Sequence, residues 1–141
     1  MARLLSPHFS EDEFWCHGPE QGTCNCGHQL YIDQKLIDAL EQLRYNIGGY
    51  PLEISSGYRC RQHNRAVGGA SDSQHCRGTA ADVICPEQLS MGEFIWYASQ
   101  LPFDGFGIYD RGGYGNGWLH LDIRDGYCSF GPIEQRWFWK G

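Results

Sequence analysis

The clearest periodicity in the chain begins after Asp33, where Leu36, Ile37, Leu40 and Leu43 recur at i, i+1, i+4 and i+7. That spacing lays one apolar stripe along a helix, and Gly48-Gly49 marks its end. Two capping boxes announce further helices: Ser10 with Glu13 opens a short one, and Ser90 with Glu93 opens another that runs through Phe94, Ile95, Tyr97, Ala98 and Leu101. Residues 52–59 and 79–85 read as strands, and residues 62–67 as a short helical turn. Residues 103–109 and 118–124 alternate like paired strands, joined by a glycine-rich stretch. Helices that come early and strands that come late, with short connections, predict an α+β fold: a small, mainly antiparallel sheet with helices packed on one side. At 141 residues the chain fits a single domain spanning 1–141, with no internal repeat and no linker.

Charge and composition narrow the function classes. A net charge of −6 and a pI near 5.4 remove the electrostatic basis for binding nucleic acid or an anionic membrane. No run of about 18 apolar residues occurs, and the start carries no apolar stretch of signal-peptide length. The expectation is a soluble monomer made in the cytoplasm without a signal peptide. Seven Cys and six His in so short a chain make metal binding the first chemistry to test, and an odd cysteine count cannot be consumed by disulfides within the chain.

Polar residues interrupt the strand pattern in three places: 55–59, 73–82 and 120–122. Asp82 lies between apolar Ala81 and Val83, and a carboxylate inside a strand needs a partner. His120 and Asp122 are two apart on a strand and therefore share a face, with Leu119, Leu121 and Ile123 on the other. His75, Asp82 and His120 converging would give zinc three protein ligands and leave a fourth position open, the layout of a hydrolytic rather than a structural centre. The plainer alternative is that both histidines are satisfied by hydrogen bonds and Asp82 caps a turn.

The segment Ser73-Gln-His75-Cys-Arg-Gly78-Thr-Ala80-Ala-Asp82 matches the pattern S-x-H-x-x-G-x-A-x-D, five fixed positions within ten residues. With Ser56-Gly-Tyr-Arg59 upstream and Trp118-Leu-His120-Leu-Asp122 downstream, the chain resembles the zinc D-alanyl-D-alanine carboxypeptidases and L-alanyl-D-glutamate endopeptidases of bacteria and phages, peptidase family M15, which share the hedgehog/DD-peptidase fold. The likeness extends to residues 6–14 and 67–70 and so covers most of the chain. It implies that His75, Asp82 and His120 bind Zn²⁺, and that Arg59 binds the substrate and stabilises the oxyanion. Such a role suits a guanidinium, which stays charged and offers a rigid fork of donors. Ser73 is expected either to support the substrate or to do plain turn chemistry.

One departure stands out: many relatives carry Glu or Asp three residues before the last histidine ligand, where this chain has Gly117. Asp122 is then the candidate general base, with a rival role as the group that orients a ligand histidine, and with Asp110 and Tyr114 as alternatives. The implied activity is hydrolysis of a bond in the peptidoglycan stem peptide or cross-link by metal-activated water, on the bacterial cell wall and in the manner of a phage endolysin. The alternative is a catalytically weak or inactive recognition module, as the hedgehog branch exemplifies.

The other ligand-type residues read separately. Cys16, Cys24 and Cys26 could hold a second, structural ion, pair, or remain reduced. Cys60, Cys76, Cys85 and Cys128 look like scattered free thiols, His63 like a surface or supporting residue, and Trp137-Phe-Trp139 like a docked end of the core.

Overall fold

The computed structural model describes residues 2–110, 115–124 and 136–140. Strands β1 (Leu4–Ser6) and β2 (Phe9–Ser10) form a small hairpin, followed by the short helices α1 (Glu11–Phe14) and α2 (Gly18–Gln21). The stripe helix is α3 (Gln34–Asn46), capped by Asp33, whose carboxylate accepts from Lys35 N. Next come β3 (Glu53–Ser56), α4 (Arg61–Ala66), a 3-10 turn (Gln74–Arg77), β4 (Ala80–Ile84) and α5 (Met91–Ser99). Both halves of the Ser90–Glu93 capping box are made. Strands β5 (Gly105–Tyr109), β6 (Trp118–Asp122) and β7 (Trp137–Lys140) complete a five-stranded sheet of order β3-β4-β6-β5-β7. Every pairing is antiparallel except β5 with β7.

The fold is α+β, with a small sheet. Leu36, Ile37, Leu40 and Leu43 of α3 and Phe94 and Ala98 of α5 share one core with Ala81, Val83, Phe106, Leu119 and Leu121 of the sheet. Because side chains alternate along a strand, the residues between these project from the opposite face. The register places Asp82, His120, Gly107 and Trp139 opposite one another on β4, β6, β5 and β7. One row across the face away from the helices thus carries the polar chemistry.

Residues 137–139 depart from the expectation of a core end. They form the edge strand β7, with Trp137 and Phe138 exposed and Phe138 stacked on Phe106 at 4.5 Å. At the end of the sheet, β7 has β5 on one side and no further strand among the described residues on the other, so aromatics on both of its faces stay open.

Candidate metal centre

His75 stands on the 3-10 turn, whose capping residue, Ser73, accepts a hydrogen bond from His75 N through its hydroxyl (3.2 Å). Gly78 ends the turn in the left-handed conformation, and a Cβ there would lie 2.3 Å from Tyr31 O, so the glycine of the signature is a steric requirement. The turn returns the chain into β4, which carries Asp82, and β6 places His120 directly across from it.

The three side chains meet. His75 Nε2 lies 3.1 Å from Asp82 Oδ1, His120 Nδ1 lies 3.3 Å from the same oxygen, and the two ring nitrogens are 3.2 Å apart. All three residues are buried. The outer nitrogens fix the tautomers. His75 Nδ1 is 2.7 Å from Gly57 O, and since a carbonyl only accepts, Nδ1 donates and Nε2 presents its lone pair. His120 Nε2 is 2.7 Å from Asp122 Oδ2 and donates to that carboxylate, which leaves Nδ1 as a lone pair. Two lone pairs and a carboxylate oxygen therefore face one another, a cluster that calls for a cation. Their separations fit a tetrahedral ion with zinc-like bonds of about 2.0–2.1 Å, whose ligand atoms would stand roughly 3.3–3.4 Å apart.

A proton competes with a metal cation for these same atoms. Burial opposes ionisation of Asp82, but positive charge on His75 and hydrogen bonds from either ring when it is protonated hold the Asp82 carboxyl well below the usual range. Burial would depress His120, yet its hydrogen bond to Asp122 and, in the protonated ring, a second one to Asp82 carry its pKa above the ordinary value.

Asp122 is not placed to act as a general base. It is wholly buried behind the His120 ring, on the side away from His75 and Asp82. Its Oδ1 accepts from Arg124 N and Nε at 3.0 Å each, and its Oδ2 accepts from Arg124 Nη2 and His120 Nε2 at 2.7 Å each. Occupied by His120 and Arg124, the carboxylate holds the ring and its tautomer. Asp110 is exposed and paired with Lys140 (3.2 Å), while Tyr114 and Cys128 lie outside the described residues. Gly117 has a physical reason: its φ is +97°, and a Cβ would lie 2.2 Å from Tyr109 O, so no acidic side chain fits there.

Arg59 and Ser73 line the same open cleft as the cluster, a space of about 650 Å³ walled by Tyr109, Trp118 and Trp139. Arg59 Nε is buried and has no hydrogen-bond partner among the described residues. An orphaned guanidinium donor beside the cluster is a costly feature unless something comes to accept from it. Tyr109 stacks on Trp118 at 3.9 Å, and its hydroxyl accepts from Trp139 Nε1 (3.0 Å), which braces the wall.

Other features of the site escape the sequence pattern. Gly105 and Gly107 on β5 make room: a Cβ on Gly105 would come within 2.3 Å of the Asp122 carboxylate, and one on Gly107 within 2.6 Å of the Trp139 indole. Trp139 thereby lies across the strand with its ring 4.9 Å from that of His120. Arg124 anchors Asp122 and sits about equally far from the rings of Trp137 (5.3 Å) and Trp139 (5.2 Å). The signal that could have exposed this was Gly105-Phe-Gly107 alternating on a strand, since glycine repeated on one face marks space used by a neighbour.

The cysteines divide differently from expectation. Cys60 is not a scattered thiol: its sulfur joins those of Cys16, Cys24 and Cys26. His17 and His28 take no part and instead face Glu20, at 3.5 and 2.8 Å. His63 is buried, with Nδ1 2.6 Å from Thr23 Oγ1.

The peptidase M15 family model matches residues 7–122, a span that holds the whole cluster. The chain belongs to the peptidase M15 family. No curated protein matches closely enough to count as a relative. The M15 family is zinc-dependent, and the donor set of this member fits that ion. No helix among the described residues is long and apolar enough to cross a membrane.

Proposed function

We propose that this M15 peptidase is a zinc enzyme that hydrolyses a bond in the stem peptide or cross-link of peptidoglycan, as a D-Ala-D-Ala carboxypeptidase or an endopeptidase. The observation that carries the reading is the convergence of three cation-seeking ligand atoms with the unpartnered Nε of Arg59 in one cleft. His75, Asp82 and His120 would hold the ion. When bound, zinc supplies Lewis-acid polarisation of a carbonyl and a more acidic water at neutral pH.

The chain's own residues do the rest. Gly57 O and Asp122 lock the two imidazoles so that their lone pairs face inward before any ligand arrives. Arg59 donates to the substrate carbonyl or carboxylate and is strongest where negative charge accumulates, because its charge does not depend on pH. Ser73 acts first as the cap that sets the His75 turn. Tyr109, Trp118 and Trp139 supply flat walls that exclude water beside the reacting carbonyl. With a net charge of −6, recognition of an anionic wall must come from the cleft and not from long-range attraction. The site of action is the bacterial cell wall, reached after synthesis in the cytoplasm, as for a phage endolysin.

A second reading, a zinc-containing recognition module of the same fold, has one observation in its favour: the backbone at Gly117 excludes the acid that many relatives place there. Incubation of the zinc-loaded protein with purified peptidoglycan, followed by mass spectrometry of the soluble fragments, separates the two. Release of peptides or terminal D-Ala supports the enzyme and identifies the bond. An intact muropeptide profile from protein with zinc bound would favour the module.

A further inference from the structure

Residues 15–33 connect α1 to α3 with only one short helix among them, yet they bury Cys16 and Cys24. A connection this long and irregular needs something to hold it. Cys16 and Cys24 sulfurs are 3.8 Å apart, Cys24 and Cys26 sulfurs 3.6 Å, and all four, with Cys60, lie within 4.8 Å of one another. Zinc–thiolate bonds of about 2.3 Å in a tetrahedron place their sulfurs roughly 3.8 Å apart, close to the Cys16–Cys24 and Cys24–Cys26 separations. Disulfides would draw sulfurs into pairs at about 2.05 Å; here Cys24 stands nearly equidistant from two partners.

The surroundings are those of a prepared thiolate cage. Backbone amides point at three of the four sulfurs: Cys60 N at Cys16 Sγ (3.5 Å), His63 N at Cys60 Sγ (3.4 Å) and Gln29 N at Cys26 Sγ (3.4 Å). Such donors stabilise charge on sulfur without introducing a competing cation. The backbone also yields to the cluster, since a Cβ on Gly18 would lie 2.2 Å from Cys24 Sγ. Tyr58 and Leu30 pack against it and close it off.

We propose that Cys16, Cys24, Cys26 and Cys60 form a second metal site, a closed four-thiolate centre for zinc or another thiophilic divalent ion, which fastens the loop of residues 15–33 to the segment that carries Arg59. Four protein ligands leave no open position, so this centre is structural. Cys60 follows Arg59 directly, and Gly57 two residues before Arg59 supplies the carbonyl that orients His75. Arg59 N also donates to His75 O (3.3 Å). The thiolate centre therefore braces both the guanidinium and one imidazole of the cleft. The existence of the site does not rest on the peptidase reading; only its consequence for Arg59 does.

The test is metal content of the full chain, purified under reducing conditions without chelator. Two zinc equivalents per chain are expected in the wild type, and one in the His75→Ala/His120→Ala variant. Cobalt(II) bound by that same variant should show intense thiolate-to-metal charge-transfer absorption, which reports the cysteine site even if Cys24→Ser/Cys26→Ser fails to fold. One equivalent in the wild type, lost with His75→Ala/His120→Ala, would overturn the proposal. So would a mass deficit, in a parallel preparation isolated and denatured without reductant, that reveals disulfides among these residues.

Discussion

The histidine–aspartate cluster and the cysteine cluster flank the same four residues, Gly57 to Cys60, and are assembled by opposite means. The first rests on sheet geometry: Asp82 and His120 are opposed by strand register, and only His75 comes from a turn. The second has no strand behind it, since three sulfurs come from an irregular loop and the fourth from the residue that caps α4. One presents lone pairs to an open cleft and the other is enclosed by Tyr58 and Leu30. A regular scaffold can hold an incomplete ligand set in place with no ion present, whereas a loop cage depends on the ion to define it.

That contrast sets the expected effects. Replacing Arg59 with Ala should lower kcat by about 10²–10³, the scale of losing one oxyanion donor, while both metals stay bound. Initial rates of muropeptide release together with zinc content check this, and loss of either metal would show that Arg59 holds the fold instead. Asp122→Asn should weaken zinc at the histidine site by roughly 10–100-fold and leave the cysteine site untouched, because only the partner of His120 has changed. Competition against a zinc indicator measures it; unchanged affinity with lost turnover would return Asp122 to the role of base.

Gly117→Glu should add no catalysis and should destabilise the protein by about 1–3 kcal/mol or more, since the side chain meets Tyr109 O in a left-handed conformation. The midpoint of denaturant unfolding reports that cost.

The smallest effect serves as a control outside both clusters. Burial would raise the Glu41 carboxyl, but the nearby Ser6 hydroxyl and hydrogen bonds from the His8 ring and amide bring its pKa below the ordinary value. A depressed carboxyl contributes stability that is present above its unfolded pKa of about 4.3 and is lost as pH falls through the folded value. Glu41→Gln should therefore narrow the difference in stability between pH 7 and pH 3 by less than about 1 kcal/mol, equally with and without metal. Acid unfolding followed by circular dichroism measures the difference.

How much of each cluster can be read in advance follows from the same contrast. His75, Asp82 and His120 are legible because the ten-residue signature is local and because period-two alternation puts His120 on one face with its neighbour Asp122. The function of Asp122 is not legible, because sharing a face does not say on which side of the imidazole a carboxylate will lie; Arg124 and the space left by Gly105 decide that. Cys60 is invisible as a ligand because nothing local distinguishes it from a capping residue, and its amide and sulfur reach Cys16 Sγ only across 44 positions of sequence. Trp139 is misread as core because its place depends on a parallel pairing of β7 with β5, which no alternation of its own residues announces.

Whether the His75–Asp82–His120 cluster holds the ion on which peptide hydrolysis depends is tested most directly by peptide release from purified peptidoglycan. One preparation is assayed before chelation, after it, and after zinc is restored, with Asp82→Ala alongside. Release should disappear on chelation, return with zinc, and never appear in Asp82→Ala. Release that persists through chelation or in Asp82→Ala would contradict that role for the cluster.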